Sequence, residues 1–433
     1  MLWCASSVRS RTPRCRLGFF LILLGSCPIG GASNPYAQSV DAARVARWQE
    51  DLDFLAGKLP KLHKNLFFQM AREEFEDATS HLRESIPGLE DSEIVVELAR
   101  LVAMPGDGHT ALTLFQPGVS FRSLPLEWRR FQDGLFITGS LKEHESSLGT
   151  KVLEIDTLDV EEAWKRVSGI VSHDNDAGLK SLVPGYLRLA EVLKALEIAE
   201  DMDSIPIRVQ GSDGKAFSIS LRPLASIPTV GFRRLQATEP PLYLRRNAEC
   251  YWYECLDDSR TLYLQYNRCE NDSNRPFPEF ARELWEAADA HEVERLIVDL
   301  RHNPGGDSAV IMPLYSGLMR EKHLHGPEHL FVLIGPRTAS SAMMNALQLK
   351  STLKAKLVGE PTGGKPNSYG ELKSFQLPHS KLTVSYSTKY FKLSSLDTRT
   401  VNPDLRVELS FEDYRLGRDP VMEAVLGEVE SDR

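Results

Sequence analysis

The chain has 433 residues, of which 42% are hydrophobic and 26% charged, and its formal net charge is -9. This is ordinary globular composition with room for two or three domains, and it excludes wholesale disorder. An acidic balance, with no sustained Lys/Arg block after the first twenty residues, argues against nucleic acid as a partner.

The chain opens with Arg9, Arg11, Arg14 and Arg16, then the short apolar run "LGFFLILLG" (Leu17 to Gly25), then the small-residue stretch "SCPIGGAS". That order reads as a secretory signal over residues 1–39, with an apolar run too short to span a bilayer. Two processing outcomes compete: a lipid-modified Cys27 that would attach the chain to a membrane, and ordinary cleavage near Ala32 or Ser39. Both predict an exported protein, whether periplasmic, envelope-associated or extracellular. Three of the six cysteines fall in this segment, and Cys250, Cys255 and Cys269 lie within twenty residues of one another. In an oxidising compartment one pair of these is free to bridge. No CxxC pair or histidine cluster at ligand spacing calls for a metal.

Residues 41–115 carry apolar positions at three- and four-residue steps, namely Trp48, Leu52, Leu55 and Leu59, then Ile94, Val95, Leu98, Leu101 and Val102. They predict a helical N-terminal domain that ends in the turn "MPGDGHTAL" with His109. Residues 116–226 mix strands ("GLFITGS", "GTKVLEID") with a helix ("VEEAWKRVSGI"), a second helix over Leu187 to Ala199, and a hairpin turning at Ser212-Asp213-Gly214. Residues 227–425 alternate in the α/β manner. "TLYLQYN", "VERLIVDL", "HLFVLIG" and "AKLVGE" read as strands, and "FPEFARELWEAADAH", "SAVIMPLYSGLM" and the segment opening at Ser340 as helices.

Three loops follow three of those strands: "RHNPGGDS", "GPRTASS" and "GEPTGGKPNSYGE". α/β sheets place ligands at the carboxyl ends of their strands, so neighbouring strands would bring these loops together. Ser340 and Ser341 stand at the mouth of a helix. There a hydroxyl serves either as an ordinary cap or as a nucleophile beside free backbone amides. Gly305-Gly306 lets the backbone turn its amides outward, and Lys365 adds a cation whose burial would lower its pKa toward that of a base.

The segments "LIVDLRHNPGG", "IGPRTASSAMMNA" and "LVGEPTGGK" resemble the tail-specific (C-terminal processing) peptidases, the S41 serine peptidases. The resemblance covers nearly half the chain, and the "GDGHT" turn and the helical N-terminal region extend it. It implies an α/β, multidomain chain with a crotonase-like catalytic core, and it makes residues 116–226 a diverged PDZ-like domain without a clear Gly-Leu-Gly-Phe-type carboxylate loop. It implies a serine endopeptidase acting on peptide or protein substrates through an acyl-enzyme, with no metal or cofactor. Ser340, nineteen residues before Gly359, matches the nucleophile. Gly306 and Ser341 match the oxyanion amides, and Lys365 matches the general base. Tricorn-like branches are similar in using a histidine instead. That role would fall to His109, oriented by an acid matching Asp397, and the base stays open between Lys365 and His109. A catalytically inactive module on the same fold, binding peptide or an apolar ligand, is the alternative.

Overall fold

The computed structural model describes residues 35–235, 237 and 239–431. The basic and apolar run of the expected signal, with Cys27, lies outside the described residues. The chain divides into two units, residues up to Arg44 and Val45–Arg433. Among the described residues of the first unit are the opening turns of helix α1 (Pro35–Leu62). All that follows concerns the second. Among the described residues no helix is long and apolar enough to cross a membrane.

In this unit the helical N-terminal stretch comprises the rest of α1, α2 (Arg72–Ser85) and α3 (Asp91–Ala103). The three-and-four spacing of the sequence becomes a buried stripe, with Leu52, Leu55 and Leu59 wholly shielded. α3 starts on a capping box in which the Glu93 carboxylate accepts the Glu90 amide at 2.8 Å.

A seven-stranded antiparallel sheet follows: β1 (Leu126–Phe131), β2 (Gly134–Leu141), β3 (Lys151–Ile155), β4 (Leu158–Asp159), β5 (Ile205–Gln210), β6 (Ala216–Leu221) and β7 (Phe232–Arg234). Between β4 and β5 run α4 (Val160–Ser168), α5 (Asp176–Tyr186) and α6 (Ala190–Ala195). The helix expected over Leu187 to Ala199 shrinks to α6. The turns before it belong to α5, whose Gly178, Pro184 and Gly185 disguise it as loop. The Asn175 side chain starts α5 by accepting the Gly178 amide at 2.9 Å.

The C-terminal half contains β8 (Tyr251–Leu256), β9 (Thr261–Tyr266), α7 (Phe277–Ala290), β10 (Arg295–Asp299), α8 (Met312–Leu318), β11 (Leu330–Ile334), α9 (Ser340–Leu353) and β12 (Lys356–Gly359). After them come a long hairpin, β13 (Asn367–Gln376) and β14 (Thr383–Lys392), then β15 (Leu405–Arg406), α10 (Phe411–Leu416) and α11 (Pro420–Ser431). The sheet runs β15-β12-β11-β10-β9-β8, parallel from β9 to β15, with β8 antiparallel at its edge. Its strands read as unbroken apolar runs because both faces are covered. Leu330, Val332 and Ile334 of β11 face a core formed with α7, α8 and α9, while Phe331 and Leu333 face Val421, Met422 and Val425 of α11.

The core nearest the N-terminus is not confined to the helices. One continuous apolar cluster joins Leu52 of α1, Val152 of β3 and Leu193 of α6 to Phe375, Val384 and Tyr386 of the β13–β14 hairpin. Packing therefore runs across residues 115 and 116 and reaches into the C-terminal half. Asp51 adds a polar staple at the same place. It is fully buried, and its carboxylate accepts the amides of His379 and Ser380, each at 2.8 Å, at the hairpin turn.

None of Cys250, Cys255 and Cys269 forms a disulfide among the described residues. Five residues along an extended strand span about 16 Å, far beyond a disulfide, so Cys250 and Cys255 cannot bridge. Cys269 is buried beside the Asn303 and Asn345 side chains instead.

Asp51→Ala leaves the His379 and Ser380 amides without their acceptor and removes two charge-assisted hydrogen bonds. The expected loss is about 3 kcal/mol of unfolding free energy, read from urea denaturation of the purified chain.

Candidate active site

Parallel pairing puts the carboxyl ends of β10, β11 and β12 at one edge of the sheet, and the three glycine-rich loops meet there. Two buried polar side chains fasten them. Asn303 accepts the Gly305 amide at 2.9 Å and donates to the Tyr266 carbonyl at 2.9 Å, while its own carbonyl accepts the Ala339 amide at 3.3 Å. Thr338 accepts the Gly335 amide at 3.0 Å, donates its hydroxyl to the Leu300 carbonyl at 2.8 Å, and receives the Gly364 amide on its carbonyl at 3.3 Å. Both residues are wholly shielded from solvent.

Gly305 and Gly306 have φ of +111° and +133°, which favour glycine. A β-carbon on Gly305 would lie 2.7 Å from the Ser340 Cβ, and one on Gly306 would lie 2.4 Å from the Cys269 carbonyl oxygen. The turn is held by that same neighbour, since the Cys269 amide donates to the Gly305 carbonyl at 3.0 Å and the Asp307 amide to the Cys269 carbonyl at 2.8 Å. Between those two bonds the Gly306 amide donates to no acceptor among the described residues. Burial pushes the Cys269 thiol up to about 11, so it packs as a neutral group.

The two adjacent serines have different fates. Ser341 is buried, and its hydroxyl donates to the Gly306 carbonyl at 2.6 Å, which ties α9 to the glycine turn. Ser340 is half-buried at the first position of α9, with φ of +49° and no hydrogen bond to its hydroxyl among the described residues. A non-glycine residue in that conformation costs of order 1–3 kcal/mol and persists where the surroundings enforce it. The first amides of α9 lack partners within the helix, so Ser340 stands at a partial positive charge.

A second cluster gathers around the loop after α3. Asp107 is buried, and its carboxylate accepts His63 Nε2-H at 3.0 Å, Thr110 Oγ1-H at 2.6 Å, Ser387 Oγ-H at 2.7 Å and the His109 amide at 3.0 Å. The tautomer of His63 follows from geometry, because its Nδ1 accepts the Asn65 amide at 3.0 Å. Burial opposes ionisation of Asp107, but these donors outweigh it and hold the carboxyl at about 2. His109 Nδ1 lies 3.9 Å from Asp107 Oδ1 and is otherwise buried without a partner among the described residues. Asp174 accepts the Gly108 amide at 2.9 Å. Burial pushes its carboxyl up, against the opposing pull of His109 and of Lys365. Lys365, half-buried, follows Gly364 directly and places its ammonium 5.1 Å from the centre of the Phe68 ring.

The structure thus brings Ser340, Ser341 and Gly306 into one constellation, with Lys365 on the adjoining loop, and sets His109 and Lys365 around one carboxylate. Asp397 does not join them. It is exposed after β14, with its carboxylate 3.5 Å from Asn367 Nδ2, and the acids beside His109 are Asp107 and Asp174. Asp107 stands inside the quoted "GDGHT", and Asn303 and Thr338 inside the quoted loops. Asp174, far off in sequence, carries no local signal.

No protein-family model and no curated protein matches the chain. Solved structures do. Mature CPAF complexed with lactacystin superposes with a TM-score of 0.62 at 14% identity, over 90% of this chain and 98% of that one. A serine-to-alanine CPAF mutant gives 0.63 at 13% identity, over 90% and 97%. The chain has the fold of CPAF. The match covers 90% of this chain, so the CPAF fold accounts for most of its architecture.

Asp107→Asn is expected to destabilise the chain by about 3 kcal/mol, because donors now aimed at a carboxylate lose their acceptor. The folded-state pKa lies below the unfolded value of 3.8, so this stabilisation is complete above 3.8 and is lost as pH falls toward 2. Thermal melts across that range should show the gap between wild type and variant closing with acidification.

Proposed function

We propose that the chain is an exported serine endopeptidase of the tail-specific S41 type, cleaving peptide or protein substrates through an acyl-enzyme. The observation that carries this reading is the strained Ser340 packed against the Gly305-Gly306 turn, with neither its hydroxyl nor the Gly306 amide hydrogen-bonded among the described residues. A hydroxyl in that position attacks a carbonyl carbon, and the amides of Gly306 and Ser341 receive the negative charge that develops on its oxygen. Their donors are fixed beforehand by Asn303, Cys269 and Ser341 Oγ, so little reorganisation accompanies the step.

His109 is the base this reading favours. An ionised carboxylate lies 3.9 Å from its Nδ1, which stabilises the imidazolium formed when the serine proton is taken. Lys365, facing an aromatic ring and Asp174, then supplies positive charge beside the loop. The same reading makes residues 227–425 a crotonase-like core and gives the antiparallel sheet a PDZ-like origin. In the proposal residues 1–39 direct export, and Cys27, if lipidated, anchors the mature chain.

The test is intact-mass labelling of the purified chain with a fluorophosphonate, with lactacystin as a second probe because CPAF is solved in complex with it. Wild type should take one label. Ser340→Ala should take none, and His109→Ala should slow labelling more than Lys365→Ala. A folded wild type that takes no label at any pH would remove the peptidase reading in favour of a binding module.

Gly306→Ala and Gly306→Pro are expected to lower the labelling rate by about a hundredfold or more. The alanine methyl meets the Cys269 carbonyl, so the turn must shift and withdraw its amide.

A further inference from the structure

A cavity of about 350 Å³ lies behind the catalytic loops, between β1 and the carboxyl ends of β10 and β11. Its wall includes Arg301-His302, on the way to Gly305, and Gly335 to Arg337, on the way to Ser340. Most charges around it are already matched. Arg130 is paired with Glu161, Lys180 with Glu360, Glu127 with Arg234, and Arg301 with both Asp299 and Asp419. Two guanidinium groups are not. Arg129 lies over the rings of Phe131 and Tyr414, and neither Arg129 nor Arg337 has a carboxylate within ion-pair distance among the described residues.

The neutral groups of the wall are also unspent. Tyr243 is only 2% exposed, and its hydroxyl is buried without a partner among the described residues. His302, stacked on the Tyr243 ring at 5.9 Å, has a buried Nε2 without a partner among the described residues. Burial, with Arg129, Arg301 and Arg337 nearby, drives this imidazole down to about 3, so it is neutral at physiological pH. Buried polar atoms without partners are uncommon enough in folded proteins to require an explanation. Here they share one cavity with two uncompensated cations, and a single kind of ligand would satisfy all of them.

We propose that this cavity binds a small free oxyanion, a phosphate or a carboxylate, held by the Arg129 and Arg337 guanidinium groups and the Tyr243 hydroxyl. Guanidinium forks match the geometry of such oxygens; Arg129 is half-buried, and Arg337 is exposed at the mouth of the cavity. A bound anion would join β1 of the antiparallel sheet to the loop that carries Ser340, because Arg337 is three residues from it.

The experiment is thermal melting of the full chain against increasing inorganic phosphate and, separately, acetate, each matched in ionic strength with sodium chloride. It does not depend on whether Ser340 is a nucleophile. A saturable rise in melting temperature with either anion, absent from the Arg129→Met/Arg337→Met double variant, supports the site, and the anion that gives it names the class. Tyr243→Phe conserves volume and removes one donor to a charged acceptor. It should therefore shift the half-saturating concentration upward about tenfold, and it decides the matter if the double variant fails to fold. The proposal is overturned if neither anion exceeds chloride, if the double variant responds like wild type, or if the Tyr243→Phe curve superimposes on that of wild type.

Discussion

Parallel hydrogen bonding between β10, β11 and β12 is the constraint on which the rest depends. In a parallel sheet every strand releases its chain at the same edge, so three loops distant in sequence are delivered to one place. Delivery alone would leave them loose. Asn303 and Thr338 convert proximity into a fixed relation, since each spends its side chain on the backbone of two loops and each is shielded from competing water. Buried polar groups satisfied in this way specify one arrangement, because any other would strand a donor or an acceptor.

The division between the two serines follows from that frame. Ser341 spends its hydroxyl on the Gly306 carbonyl and so aligns the start of α9 with the glycine turn. Ser340 is left in a conformation that solvent alone would not choose, with its hydroxyl free. The strain is borne by the close fit of Gly305 beneath it, where a single added methyl would collide with the serine itself. Around His109 the same economy operates through charge. One carboxylate, kept ionised by His63, Ser387 and Thr110, serves as the fixed negative end of the cluster.

Much of this was legible in the sequence, for identifiable reasons. Strands covered on both faces are unbroken apolar runs, so "VERLIVDL" and "HLFVLIG" announced β10 and β11, and the glycine-rich loops that follow them marked the site. In the sequence the choice between Ser340 and Ser341 rests on resemblance alone; the contact of Ser341 with Gly306 and the positive φ of Ser340 separate them physically. α5 was hidden because its glycines and proline carry the local signal of a loop while its buried face is set by distant partners. Asp397 enters only through the resemblance to tricorn-like branches. The acids that reach His109 come from its own turn and from Asp174, a juxtaposition created by folding.

The apolar cluster that joins Leu52 to Tyr386 also bears on how the chain is made. A polypeptide emerging from the ribosome offers its first helices early, but the hairpin that completes their core follows more than three hundred residues later. Until then the cover of the α1 stripe is incomplete, and Asp51 lacks the His379 and Ser380 amides. Domains that close on local contacts can settle during synthesis, whereas this one must wait for nearly the whole message to be read. The earliest segments of the chain are thus among the last whose packing is complete.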